Sequence, residues 1–122
     1  MSKKYSFNTW LPLVMAGALA VSVPAAVIAK QGADTSHGKT VYEETCIACH
    51  GENGAGAVPG APNFTDKNGR LTKPDEVLIE HAVEGFQTPG SPMGMPELGG
   101  NPDLTDQDIA DVIAYIRQTF GK

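Results

Sequence analysis

Five consecutive residues, Cys46-Ile47-Ala48-Cys49-His50, constrain this chain more than any other feature. The spacing C-x-x-C-H is that of covalent haem attachment. Thiols at i and i+3 lie on one side of a helical turn and can add to the two vinyl groups of one haem. The next residue, the histidine, then sits beneath the iron and can donate an imidazole nitrogen. Such a motif dictates the fold around it, because the group it holds must be walled in by the rest of a short chain.

Other readings of the same residues are weaker. A thioredoxin-type dithiol belongs near a βαβ pattern, and strand-like runs are nearly absent. A zinc site needs about four ligands, and there is no second C-x-x-C and no H-x-x-x-H. A structural disulfide gains little by closing so short a loop.

The first 29 residues read as a segment apart from the fold. Lys3 and Lys4 make a positive start, Leu11 to Val23 is apolar, and Val27-Ile28-Ala29 offers compact residues for cleavage. This is the pattern of a secretory signal peptide, and residues 30–122 are then expected to form one domain. Trp10 to Ala29 is also just long enough to span a membrane, but Pro12, Pro24 and the small-residue end favour removal. An exported protein of this kind is expected in the periplasm. The alternative of a retained anchor has less support.

A domain of this size buries only a modest share of its surface, and small domains lean on a metal or cofactor. Of the chain's 9 Lys and Arg, Lys3 and Lys4 would leave with the leader, whereas all 14 Asp and Glu lie beyond it. The remainder carries 7 cations against 14 anions, a net charge of −7. That balance argues against nucleic acid and against docking to anionic lipid. It would steer the protein toward a basic partner patch, or serve solubility alone.

Three helical windows are expected. The first runs from about His37 to Cys46, with Gly38, Val41, Tyr42 and Thr45 at helical spacing. The second runs from about Pro74 to Glu84, with Asp75 and Glu76 at its positive end and Gly85 as its stop. The third starts at the N-cap candidate Thr105 and carries Ile109, Val112, Ile113, Ile116 and Phe120 as one apolar stripe. Between them, 51–64 and 87–102 are rich in Gly and Pro, which excludes helix or central strand there. The fold class is all-α with long loops.

An electron carrier needs the sixth iron position closed, since exchanging a ligand at each transfer would slow it. Candidates are Met93, Met95, His81 and His37. Met95 is preferred because Pro96 holds the loop extended behind it. Met93 is an alternative, otherwise a gap-filler. His81 lies in an apolar stripe and reads as a partly buried histidine with a local hydrogen bond. His37 reads as a surface residue.

The whole pattern resembles the class I c-type cytochromes, in their bacterial monohaem form. Gly38-x-x-Val41-Tyr42 running into Cys46-x-x-Cys49-His50-Gly51, then Ala61-Pro62-Asn63-Phe64, Gly85 through Met95-Pro96, and Leu104-Thr105 through Arg117 carry the likeness. The resemblance implies the cytochrome c fold, three to four helices around one haem c bound through Cys46 and Cys49. It implies His50 and Met95 as iron ligands, and Pro62 as the residue whose carbonyl accepts a hydrogen bond from His50. It also implies that Gly38 and Tyr42 meet the region of Ala114 and Tyr115. The activity implied is one-electron transfer without catalysis, between a dehydrogenase or quinol-oxidising complex and a terminal oxidase or reductase. A dedicated cytochrome subunit of a periplasmic oxidoreductase is the alternative. The lysine ring through which mitochondrial members dock is missing. A monomer is the expected state.

Overall fold

The computed structural model describes residues 32–122, and the expected leader, 1–29, lies outside them. Four α-helices occur in order: α1, Thr35–Val41; α2, Ile47–His50; α3, Asp75–Glu84; and α4, Asp106–Phe120. Among the described residues there is no strand, only the isolated antiparallel bridge between Phe86 and Met95. No helix among them is long and apolar enough to cross a membrane.

The first helical window is longer than its spacing predicts, because helical structure runs unbroken through 35–50. Its middle departs from α geometry: Tyr42–Cys46 is a π-helical turn joining α1 to α2. A π turn inserts one residue, so α2 is rotated by about 100° relative to the continuation of an uninterrupted α-helix. This resets the face on which Cys46 and Cys49 project. The polar start is capped by Asp34, which accepts hydrogen bonds from the Ser36 and His37 amides.

Helix α4 has a reciprocal capping box at the N-cap that its sequence suggests: Thr105 accepts from the Asp108 amide while Asp108 accepts from the Thr105 amide. Its apolar stripe is buried at Ile109, Val112, Ile113 and Ile116. Helix α3 buries Leu78 and Ala82 against it. Gly85 then turns the chain with φ +78, a conformation that costs a side chain but not glycine. Arg117 on α4 donates to the Leu71 carbonyl at 2.7 Å and also binds the Lys73 carbonyl and the Asp75 carboxylate. It thereby ties α4 to the approach of α3.

Helices α1 and α4 meet at Gly38. A Cβ there would collide with the Asp111 carbonyl and lie 2.9 Å from the Val112 amide nitrogen. The close approach thus falls about one turn before the Ala114–Tyr115 region that the resemblance implied for Gly38, while Tyr42 does meet Tyr115, with ring centroids 5.6 Å apart. Gly38→Ala is expected to destabilise by about 1–3 kcal/mol, since backbone cannot yield as a side chain can. The midpoint of denaturant unfolding of the holoprotein measures it, and an unchanged midpoint would contradict the close crossing.

His37 is exposed, as its position suggests, yet it has a specific role. Its Nδ1 lies 2.9 Å from Asp111 and its Nε2 3.5 Å from Asp108, joining α1 to α4. Asp111 is buried and also accepts from the Asp34 amide and the Gln107 side chain. The hydrogen bond to Asp111 raises the His37 pKa above its ordinary value. A raised folded-state pKa means that the contribution is present in full below the unfolded value of about 6.5 and is lost as pH rises through the folded one. The melting temperature should therefore fall from pH 6 to pH 8 by more in the wild type than in His37→Gln. Parallel curves would remove His37 as the cause.

The second Gly/Pro-rich stretch departs from expectation. It contains a short 3-10 turn, Glu97–Gly100, in which Leu98 adopts φ +51. Prolines at 96 and 102 bracket this turn without entering it, which is why their presence did not prevent it.

Candidate functional site

A largely apolar cavity of about 1060 Å³, counted to its open mouth, lies between α2, α3, α4 and the two long loops. Its walls include Cys46, Cys49, His50, Pro62, His81, Met93 and Met95, so every sequence-nominated residue except His37 borders one space. Ile109, Val112, Ile113 and Ile116 of α4 form its floor.

His50 is 9 % exposed and ends α2. Its ring stacks on Phe64 at 4.7 Å with an interplanar angle of 16°. Phe64 in turn stacks on Phe120 at 6.2 Å, and Phe120 lies 5.6 Å from Tyr42. The Tyr42 hydroxyl donates to the Gly51 carbonyl at 2.6 Å, holding the residue after His50. Phe64 is brought in by a loop folded back on the motif: Gly56 and Ala57 donate to the His50 and Cys49 carbonyls, and the Phe64 amide donates to the Gly54 carbonyl. Burial lowers the His50 pKa, which keeps the imidazole neutral and able to donate an electron pair.

The hydrogen bond that the resemblance implied from His50 to Pro62 is not made. Pro62 lines the cavity, but Nδ1 of His50 is buried with no partner. The ring's contact is the stack on Phe64.

Cys46 and Cys49 are free thiols, the first half-buried and the second exposed. Burial, reinforced by Cys49, pushes the Cys46 thiol up to about 11. A redox-active dithiol needs a lowered pKa, so the dithiol reading loses support here. Zinc does too, because no group of three His, Cys, Asp or Glu among the described residues could hold a metal ion.

The two methionines differ. Met95 packs against the core, and both its backbone groups bond to Phe86, at 3.0 and 2.8 Å. Met93 is 51 % exposed. His81 does not make the local hydrogen bond expected of it; it stacks on Phe86 at 3.9 Å. Sequence reasoning singled out Pro96 as the residue that aims Met95, and missed the Phe86 clamp. It also missed Arg70, the one Lys, Arg, Asp or Glu in the cavity wall. Arg70 donates to Thr88 Oγ1 at 2.5 Å and lies over the Phe86 ring at 5.1 Å.

These features fit a covalently held haem: a buried neutral imidazole with an orphaned nitrogen, thiols at i and i+3 beside it, a thioether in the same walls, and one cation, Arg70, in the lining. A cytochrome c family model matches residues 35–120. The chain belongs to the cytochrome c family. It is a class I c-type cytochrome, an electron-transfer protein rather than an enzyme, and its cofactor is haem c.

Cytochrome c-555 of Prosthecochloris aestuarii is 40% identical over 88 residues, which cover 68% of this chain and 85% of that protein. The gluconate 2-dehydrogenase cytochrome c subunit of Pantoea cypripedii is 31% identical over 97 residues, 75% of this chain but 22% of that subunit. In the crystal structure of the c-type cytochrome XoxG from Methylobacterium extorquens AM1, the likeness has a TM-score of 0.51 at 26% identity. It covers 71% of this chain and 51% of that one. Small electron carriers and parts of larger oxidoreductases thus share this cytochrome's sequence pattern. The haem supplies a one-electron Fe(III)/Fe(II) couple; the chain's part is to bind, orient and wall it off.

Proposed function

We infer that this cytochrome is a periplasmic monohaem carrier, exported by residues 1–29 and active as residues 30–122. Cys46 and Cys49 hold the haem, His50 is the proximal ligand and Met95 the distal one, with Pro62 in the wall beside them. The observation that carries this reading is the apolar cavity into which the motif and a backbone-clamped methionine, far apart in the chain, both open. Met95 is preferred over Met93 because it is less exposed and fixed on both sides of its peptide. A His/Met pair raises the potential and closes the iron to substrates.

The carrier would take one electron from a dehydrogenase or quinol-oxidising complex and pass it to a terminal oxidase or reductase, as a monomer. The net charge of −7 on residues 30–122 would draw it toward basic partner surfaces. No binding to nucleic acid or, after cleavage, to membrane is expected.

The test is an absorption spectrum of the exported, purified protein, oxidised and then reduced. Residues 30–122 contain no tryptophan, so a haem dominates it. A sharp reduced α band that survives acid-acetone extraction, with a weak far-red methionine–iron band when oxidised, is the expected result. The absence of covalent haem would overturn the reading. A second reading, a dedicated cytochrome subunit, draws on the similarity to the gluconate 2-dehydrogenase subunit. Size-exclusion chromatography of native periplasm separates the two, since a stable large complex favours the subunit.

A further inference from the structure

Eight residues, 87–94, separate Phe86 from Met95, and the bridge that closes them is isolated. The composition of this loop explains why no ladder extends the bridge. Pro89 and Pro92 have no amide to donate, and Gly90 and Gly94 hold no preferred conformation. A loop of this kind loses entropy on closure and gains little from its own backbone. Held by the bridge alone, it would open locally while the helices stayed folded. Met95 would leave the cavity wall with it.

Side chains supply what the backbone lacks, and they converge on Ser91. The Ser91 hydroxyl donates to the Met93 carbonyl at 2.8 Å, and the Met93 amide lies 3.5 Å from the same oxygen. Gln87 Nε2 donates to the Ser91 carbonyl at 2.9 Å. The Ser91 amide donates to the Thr88 carbonyl at 2.9 Å, and Thr88 Oγ1 accepts from Arg70, which lies outside the loop. Hydroxyl, carbonyl and amide of one residue are thus all engaged. The surrounding chain fits closely: a Cβ on Gly60 would lie 2.5 Å from Ser91 Oγ, and one on Gly94 would collide with Gln87 Oε1. Serine suits the position because its short side chain bonds the backbone two residues on.

Each of these hydrogen bonds is modest, since water competes for it. None joins two of the helices, so together they bear on how often the loop opens. We propose that Ser91 is a positioning residue for Met95: it braces the 87–94 loop so that the thioether stays presented to the cavity, with Gln87 assisting through the Ser91 carbonyl. The proposal rests on the reading of Met95 as the distal ligand. Ser91 acts through the loop and does not touch the iron. A competing ligand can reach the iron only while the loop is open, so its apparent affinity reports the open fraction.

Imidazole is the probe, titrated into the oxidised holoprotein while the far-red methionine–iron band is followed. Ser91→Ala and Gln87→Glu are each expected to bind imidazole about three- to tenfold more tightly than the wild type, the range that one hydrogen bond supplies. Gln87→Glu keeps the shape and turns an acceptor toward a carbonyl. Gly38→Ala weakens the α1–α4 crossing, away from the loop, and is expected to stay within about twofold of the wild type, because distant sites act independently. Wild-type imidazole affinity in both loop variants, with the band present, would overturn the brace alone. So would equally tight binding in Gly38→Ala, because the opening would then be global. A wild-type protein lacking the methionine–iron band would overturn the assignment of Met95 and the brace together.

Discussion

A Cys46→Ala/Cys49→Ala variant is expected to lose cooperative folding. Among the described residues nine form the buried hydrophobic core, and four of them, Ile109, Val112, Ile113 and Ile116, are also cavity floor. Phe64, Leu78 and Ala82 of the same core face that space as well. Full burial of one such large side chain is worth about 1.5–3 kcal/mol. Leaving several of them against an unfilled space forfeits packing on one side, an amount comparable to the about 5–15 kcal/mol that holds a small domain together. The Gly/Pro-rich loops lend the core few large apolar side chains, among them Phe64, Met95 and Leu98. Far-UV circular dichroism should show much of the helical signal lost and no sharp melt. A fully helical, cooperatively melting variant would mean that the chain closes its own core and that the cavity is incidental.

Met95→Leu is expected to abolish the far-red methionine–iron band of the oxidised protein and to let the reduced protein bind carbon monoxide at neutral pH. Leucine keeps the volume and removes the sulfur, so the Phe86–Met95 backbone bridge should survive and the fold with it. The potential should fall, because the thioether is the ligand that favours the reduced iron. Met93→Leu should keep the band. The reverse pattern would exchange the two methionines and would place the exposed loop tip at the iron. Absence of the band from the wild type would return His81 to consideration, since it borders the same cavity, where it stacks on Phe86.

Much of this protein is determined locally and is therefore readable from sequence. The C-x-x-C-H spacing depends only on the rise and pitch of one helical turn. The stripe from Ile109 to Phe120 and the Thr105–Asp108 capping box depend on neighbours three or four residues away. Gly85 ends α3 because only glycine enters its backbone conformation freely. What sequence did not reveal depends on residues far apart in the chain. Phe86 reaches back across the loop to clamp Met95, and Arg70 is held by Thr88. His37 pairs with Asp111, 74 positions away. The ring of His50 stacks on Phe64, and a Cβ on Gly38 would strike the Asp111 carbonyl. Each of these turns on packing to within an ångström or two. Spacing along the chain selects the residue types that a haem site needs, but only the closure of α1, α3, α4 and the two loops decides which side chains face each other across the cavity.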